Sequence, residues 1–162
     1  MGRYFGIRWF VKGKYLTWNN AVVFGLGHGG IEAFALVGIP YAKALTDVIE
    51  GRNIVALLNT PPEYFLPDGI ERIIVVLMHI GLTMLVFYAV RNRKALYLVY
   101  AVLAHMLVDF ILPLLQKMGV SLSMWGKEGV LAVFAAFAVV IMIIYRKALM
   151  EPPENGGKVN EE

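Results

Sequence analysis

The stretch GIERIIVVLMHIGLTMLVFYAV, residues 69–90, reads as a membrane span: past Glu71 and Arg72 it carries no formal charge as far as Val90. About 20 apolar residues at roughly 1.5 Å each match the ~30 Å hydrocarbon core of a bilayer. Working outward, three more apolar stretches run from Asn20 to Pro40, Ala95 to Gln116 and Gly129 to Tyr145. Each satisfies its own backbone in hydrocarbon only as a helix. The expected fold class is therefore all-α, a polytopic membrane protein with four transmembrane helices and one membrane-embedded domain over residues 1–150. The 162 residues are 59% hydrophobic and 17% charged, against about half and a quarter in soluble domains. That balance excludes a soluble monomer. The chain has no Cys, so disulfides, thiolate metal sites and a Cys nucleophile are excluded, and His, Asp and Glu must carry any metal or acid–base chemistry.

The segments between the spans set an orientation. Residues 1–18 mix Arg3, Arg8, Lys12 and Lys14 with Tyr4, Phe5, Trp9, Phe10, Tyr15 and Trp18, the pattern of an interfacial segment that seats its rings among headgroups. Arg91, Arg93 and Lys94 form the second connection, and Arg146 and Lys147 follow the last span. By the positive-inside rule these three groups face the cytoplasm, so both termini are expected inside an integral membrane protein of the cell membrane. The net charge of +3 then belongs to membrane anchoring, and no nucleic-acid partner is expected. Residues 41–68 read as an outer loop, with a short surface helix between Ala42 and Leu58 and an extended break at Pro61-Pro62. Pro40 is expected to end or kink the first span, and Pro113 to kink the third. Residues 151–162 are too polar to bury and are expected to be a disordered tail.

Five ionisable residues interrupt this apolar pattern. His28 and Glu32 fall in the first span, His79 in the second, and His105 and Asp109 in the third. An ionisable group near the bilayer centre costs several kcal/mol unless it meets a partner or a wet cavity, so five of them call for one explanation. His28 and Glu32 are four apart, as are His105 and Asp109, and each pair occupies one helix face. Counted from the cytoplasmic ends, His28 and Glu32 lie roughly 12 and 18 Å deep, His79 roughly 18 Å, and His105 and Asp109 roughly 17 and 23 Å. The second helix runs opposite to the other two, so this common depth points to a single constellation. The fourth span has no ionisable residue in its interior and reads as scaffold.

Three imidazoles with two carboxylates suit Zn²⁺ or another divalent ion: His28, His79 and His105 as ligands, Glu32 beside the bound water, and Asp109 orienting His105 or entering the shell weakly. A Glu–His pair that activates water without metal is the alternative chemistry. Arg72, seven residues before His79 on the same face, is placed to pair with Glu71 or a site carboxylate, or to anchor at the interface. Gly25 and Gly29 make a small-xxx-small spacing that allows close helix approach, and the glycines around His28 leave room for a metal, a water or an extended peptide backbone. Two other function classes remain compatible with these residues. One is a transporter of protons or divalent metal, which lacks support from any inverted repeat; the other is a noncatalytic membrane-peptide binder or assembly protein, alone, as a homo-oligomer or with a partner membrane protein.

The order of motifs carries a resemblance. Gly25-Leu26-Gly27-His28-Gly29-Gly30-Ile31-Glu32, then Glu71-Arg72 leading to His79, then His105 followed by Asp109, resembles the YhfC family of intramembrane metalloproteases, which looks related to the CAAX prenyl protease and bacteriocin-processing group. The resemblance spans about Ala21 to Leu112. It implies hydrolysis of a peptide bond in a membrane-associated substrate, with Glu32 activating water, His28, His79 and His105 holding a metal or polarising the substrate carbonyl, and Asp109 as a further ligand or orienting group. Members of that family are usually longer at the N-terminus, so this chain is expected to lack helices that enclose the site.

Overall fold

The computed structural model describes residues 6–7, 11, 15–52, 59, 61 and 65–151. Helix α1 (Trp18–Ala33) continues through a π-helical segment (Phe34–Gly38) into α2 (Ile39–Ile49); α3 (Phe65–Arg91), α4 (Ala95–Lys117) and α5 (Met124–Met150) follow. Four helical stretches, Trp18–Ile49 and α3 to α5, are long and apolar enough to cross a membrane, and no strand occurs among the described residues. The fold is thus the expected all-α, four-span class. Most of the interfacial segment expected over residues 1–18, residues 152–162 of the tail, and the loop residues 53–58, 60 and 62–64 lie outside the described residues.

The first span does not stop at Pro40. Proline has no N–H for the carbonyl four residues back, and its ring crowds that carbonyl. The chain answers by widening one turn: the Ile39 N–H bonds to the Phe34 carbonyl, five residues back, and the helix then resumes as far as Ile49. The surface helix expected from Ala42 is therefore the continuation of the span, beginning at Ile39.

Helix α3 is the hub. It packs against α1, α4 and α5, which touch each other little, and it buries most of its length from Val75 to Ala89. The other helices bury one stripe each: Ala21, Gly25 and Gly29 on α1, Ala101 alone on α4, and Glu128, Leu131, Ala135, Ala138 and Leu149 on α5. Small residues set the distances, as expected where helix association rests on van der Waals packing and polar contacts rather than on escape from water. A Cβ on Gly25 would stand 2.5 Å from the Ile80 Cα, and one on Gly81 would stand 2.8 Å from the Ala138 Cα. Backbone therefore meets backbone on both sides of α3.

Two features fix the up-and-down course. After α3 the chain reverses within three residues: Arg93 takes a left-handed φ of 55°, and the Lys94 N–H reaches back to the Ala89 carbonyl at 3.0 Å. So tight a turn makes α3 and α4 antiparallel neighbours. At the same end, Arg91 donates to the carbonyls of Leu16 and Glu151, at 3.5 and 2.6 Å, which brings the start of α1 and the end of α5 to one side of the bundle. Tyr88, Tyr97 and Tyr145 cluster there with ring centroids 4.6–6.0 Å apart, as aromatic residues gather at a membrane interface.

Candidate functional site

The antiparallel bundle brings the three histidines into one row. The His28 and His79 ring centroids are 5.2 Å apart, and the His79 and His105 centroids are also 5.2 Å apart, so the row crosses from α1 over α3 to α4. His79 is the floor of the row, 2% exposed, whereas the His28 face of α1 and the His105 face of α4 are open. Close packing makes this possible. Gly29 lets α1 settle until a Cβ there would stand 3.2 Å from the His79 Cβ; Gly27 and Gly30 have nothing within 4 Å and leave space beside His28.

The two ring nitrogens of His79 face different oxygens. Its Nδ1 lies 2.8 Å from the Val75 carbonyl oxygen, which can only accept, so Nδ1 carries the proton and donates. The other ring nitrogen, Nε2, lies 3.1 Å from Glu32 Oε2. An imine nitrogen and a carboxylate oxygen are both acceptors, and they rest at that distance only with a proton or a cation between them. The carboxylate of the first helix has thus found the imidazole of the second.

Ligating atoms of His28, Glu32 and His79 all lie within 4.8 Å of one another. Ligand atoms about 2.0–2.1 Å from one tetrahedral Zn²⁺ stand roughly 3.3 Å apart, so the side chains must close by up to about 1.5 Å to share an ion. The donors fit a divalent ion: two imidazoles to hold it and a carboxylate close enough to stand beside a bound water. His105 is not in this group. Its Nε2 points to Asp109 Oδ2 at 3.4 Å, along its own helix. Pro113, four residues after Asp109, supplies no N–H to the Asp109 carbonyl, and α4 runs on through it to Lys117. Arg72 stands two turns of α3 away from His79, roughly 10 Å along the axis, and its ion pair runs to Glu71.

One buried carboxylate escaped the sequence reading. Glu128, just before the apolar stretch that begins at Gly129, lies within α5 and is only 8% exposed. Its spacing carried a signal: Glu128, Leu131, Ala135 and Ala138 recur at three and four residues, the seam that packs on α3. The stretch from Gly129 to Tyr145 holds no ionisable group in its interior; the helix begins five residues earlier, at Met124, and Glu128 lies in that added part.

The fold and the row of imidazoles define a class: a polytopic helical membrane protein with a His–carboxylate centre of metal-binding composition. Within that class the chain belongs to the YhfC intramembrane metalloprotease family, whose pattern matches residues 1–135. It is 35% identical over 157 residues to the uncharacterized membrane protein YhfC of Bacillus subtilis (strain 168), an alignment that takes in 85% of this chain. The chain spans 60% of that relative's length. No solved structure matches it.

Proposed function

We propose that this protein hydrolyses a peptide bond of a membrane-associated substrate at the His–carboxylate row, with both chain termini in the cytoplasm. The observation that carries the reading is the 3.1 Å approach of Glu32 Oε2 to Nε2 of the buried His79. His28 and His79 would hold a divalent ion, zinc being the best match to their chemistry. When bound, it would supply Lewis acidity toward the substrate carbonyl and the attacking water.

The chain's own groups do the rest. Glu32 takes a proton from water as the oxygen attacks the carbonyl carbon, and gives it to the amide nitrogen as the C–N bond breaks; the products are a carboxylic acid and an amine, which pass a proton between them to leave as carboxylate and ammonium. The carboxylate can serve in this way because it is 28% exposed on its side chain while the imidazole behind it is buried. Val75 fixes the tautomer of His79 by accepting from Nδ1, so that Nε2 stays available. His105 stands on the far side of His79 with its Nε2 toward Asp109, and lines the substrate end of the row. The row is open between α1 and α4, and Gly27 and Gly30 leave clearance for an extended peptide, which a helical substrate must become before its carbonyls are free.

Cleavage of a reconstituted single-span peptide, read by mass spectrometry with and without Glu32→Gln, tests the assignment. Undiminished cleavage by the variant removes Glu32 as the base. Ion flux in proteoliposomes that depends on Glu32, without cleavage, would instead make the same row a transport site. Reporter fusions after Leu58 and at the C-terminus are expected on opposite sides of the membrane; the same side for both overturns the orientation.

A further inference from the structure

A second polar group lies apart from the imidazole row. Near its N-terminus α3 carries Asp68, Glu71 and Arg72, and Glu128 of α5 stands within electrostatic reach of Asp68 and Arg72. These groups are unequally served. Arg72 pairs with Glu71, and Asp68 accepts a hydrogen bond from the Tyr41 hydroxyl. Glu128 Oε2 is buried and has no hydrogen-bond partner among the described residues. Arg72 Nε is buried without an acceptor as well, so the guanidinium has not closed on Glu128.

Charge decides what the cluster can receive. Three carboxylates share one guanidinium, and the one without a hydrogen bond at Oε2 is 8% exposed. A desolvated carboxylate in that position is costly until a positive donor reaches it. A second anion would be repelled, and a neutral group would leave the excess charge in place. The complement is a cation that also donates hydrogen bonds.

Position gives that cation a register. Arg72 and Asp68 precede His79 by seven and eleven residues, which puts both within about 20° of the His79 direction, roughly 10 and 16 Å along the axis. An extended peptide advances about 3.3 Å per residue, so it spans those distances in about three to five residues. We propose that Glu128, with Asp68 and Glu71, forms a subsite for the ammonium or guanidinium of a membrane-embedded peptide, a basic side chain about three to five residues from the bond held over His79. The register rests on the hydrolytic reading of the row; recognition of the basic group does not.

Binding rather than cleavage tests it. The probes are two fluorescent single-span peptides that differ only in Lys or Gln at the juxtamembrane position, titrated against the full chain carrying Glu32→Gln in phosphatidylcholine nanodiscs. The Lys peptide is expected to bind about tenfold more tightly, and addition of Glu128→Gln to bring the two peptides within about twofold of each other. Asp68→Asn should reduce the preference in the same direction, which keeps the test open if Glu128→Gln does not fold. Equal binding of both peptides by the parent chain overturns the proposal. So does a Glu128→Gln variant that melts earlier yet keeps the Lys preference, because Glu128 is then only a clasp between α3 and α5. If Na⁺ or Mg²⁺ raises the melting temperature only when Glu128 is present, and the peptides bind alike, the cluster is an inorganic-cation site and the proposal fails. A chain that prefers the Lys peptide but cleaves nothing leaves this inference standing and removes the hydrolase.

Discussion

Helices α3 and α4 each bring one histidine to the row, and they hold it in opposite ways. His79 is locked: 2% exposed, its Nδ1 tied to Val75, its Nε2 against Glu32 of another helix, with glycine contacts packing α3 backbone to backbone on two sides. His105 rides on a helix that buries only Ala101, and its partner Asp109 is on the same helix and 54% exposed. The difference teaches which part of the row is preorganised. Rigid placement of a ligand is what makes an imidazole serve a metal or a substrate at low cost in reorganisation. Under the proposed hydrolytic reading, the half of the row built from α1 and α3 would carry the chemistry and the α4 half would adjust it.

The largest effect expected from this asymmetry is between the two carboxylates. Glu32→Gln should lower peptide cleavage by about 10²–10⁴-fold, the range for loss of a general base, and Asp109→Asn by only about tenfold. Comparable losses would mean that the two halves are equivalent. Metal content separates the imidazoles next. Elemental analysis of purified protein should find about one divalent ion per chain. His79→Ala should reduce retention by at least about tenfold, and His105→Ala by less. Protein that holds no ion after metal-replete purification would leave a Glu–His site working without metal.

Packing sharpens the comparison at smaller scale. Gly25→Ala drives a methyl into the Ile80 backbone and should cost about 1–3 kcal/mol in thermal unfolding in detergent. Gly27→Ala, two residues on, meets nothing within 4 Å and should stay within about 0.5 kcal/mol of the parent. Equal melting of the two variants would break the claim that α1 is seated on α3 by a glycine stripe. The smallest effect is expected at the α4 pair: Asp109→Asn should lower metal affinity by no more than about tenfold, since water already reaches that carboxylate.

Bilayer thickness is a ruler that acts on one segment at a time, so run lengths alone marked four helices, and the depth of His28, His79 and His105 was legible from helical rise. Gly25 and Gly29 were legible as a contact stripe for the same reason, since their spacing is a property of one helix. The four-residue spacing of His28 and Glu32 also placed both on one face. It did not say which imidazole the carboxylate would meet, and the structure joins Glu32 to His79. Likewise Pro40 announced a break in the helix, but whether the chain would turn away or widen by one residue depended on the Phe34–Gly38 turn and its neighbours. Glu128 precedes the apolar run from Gly129, where charge ordinarily faces water, and only the docking of α5 on α3 buries it. Sequence periodicity fixes what lies along a helix, while the rotation of each helix about its axis, and so the partner each polar group meets, is set by the small-residue contacts that let two particular backbones touch.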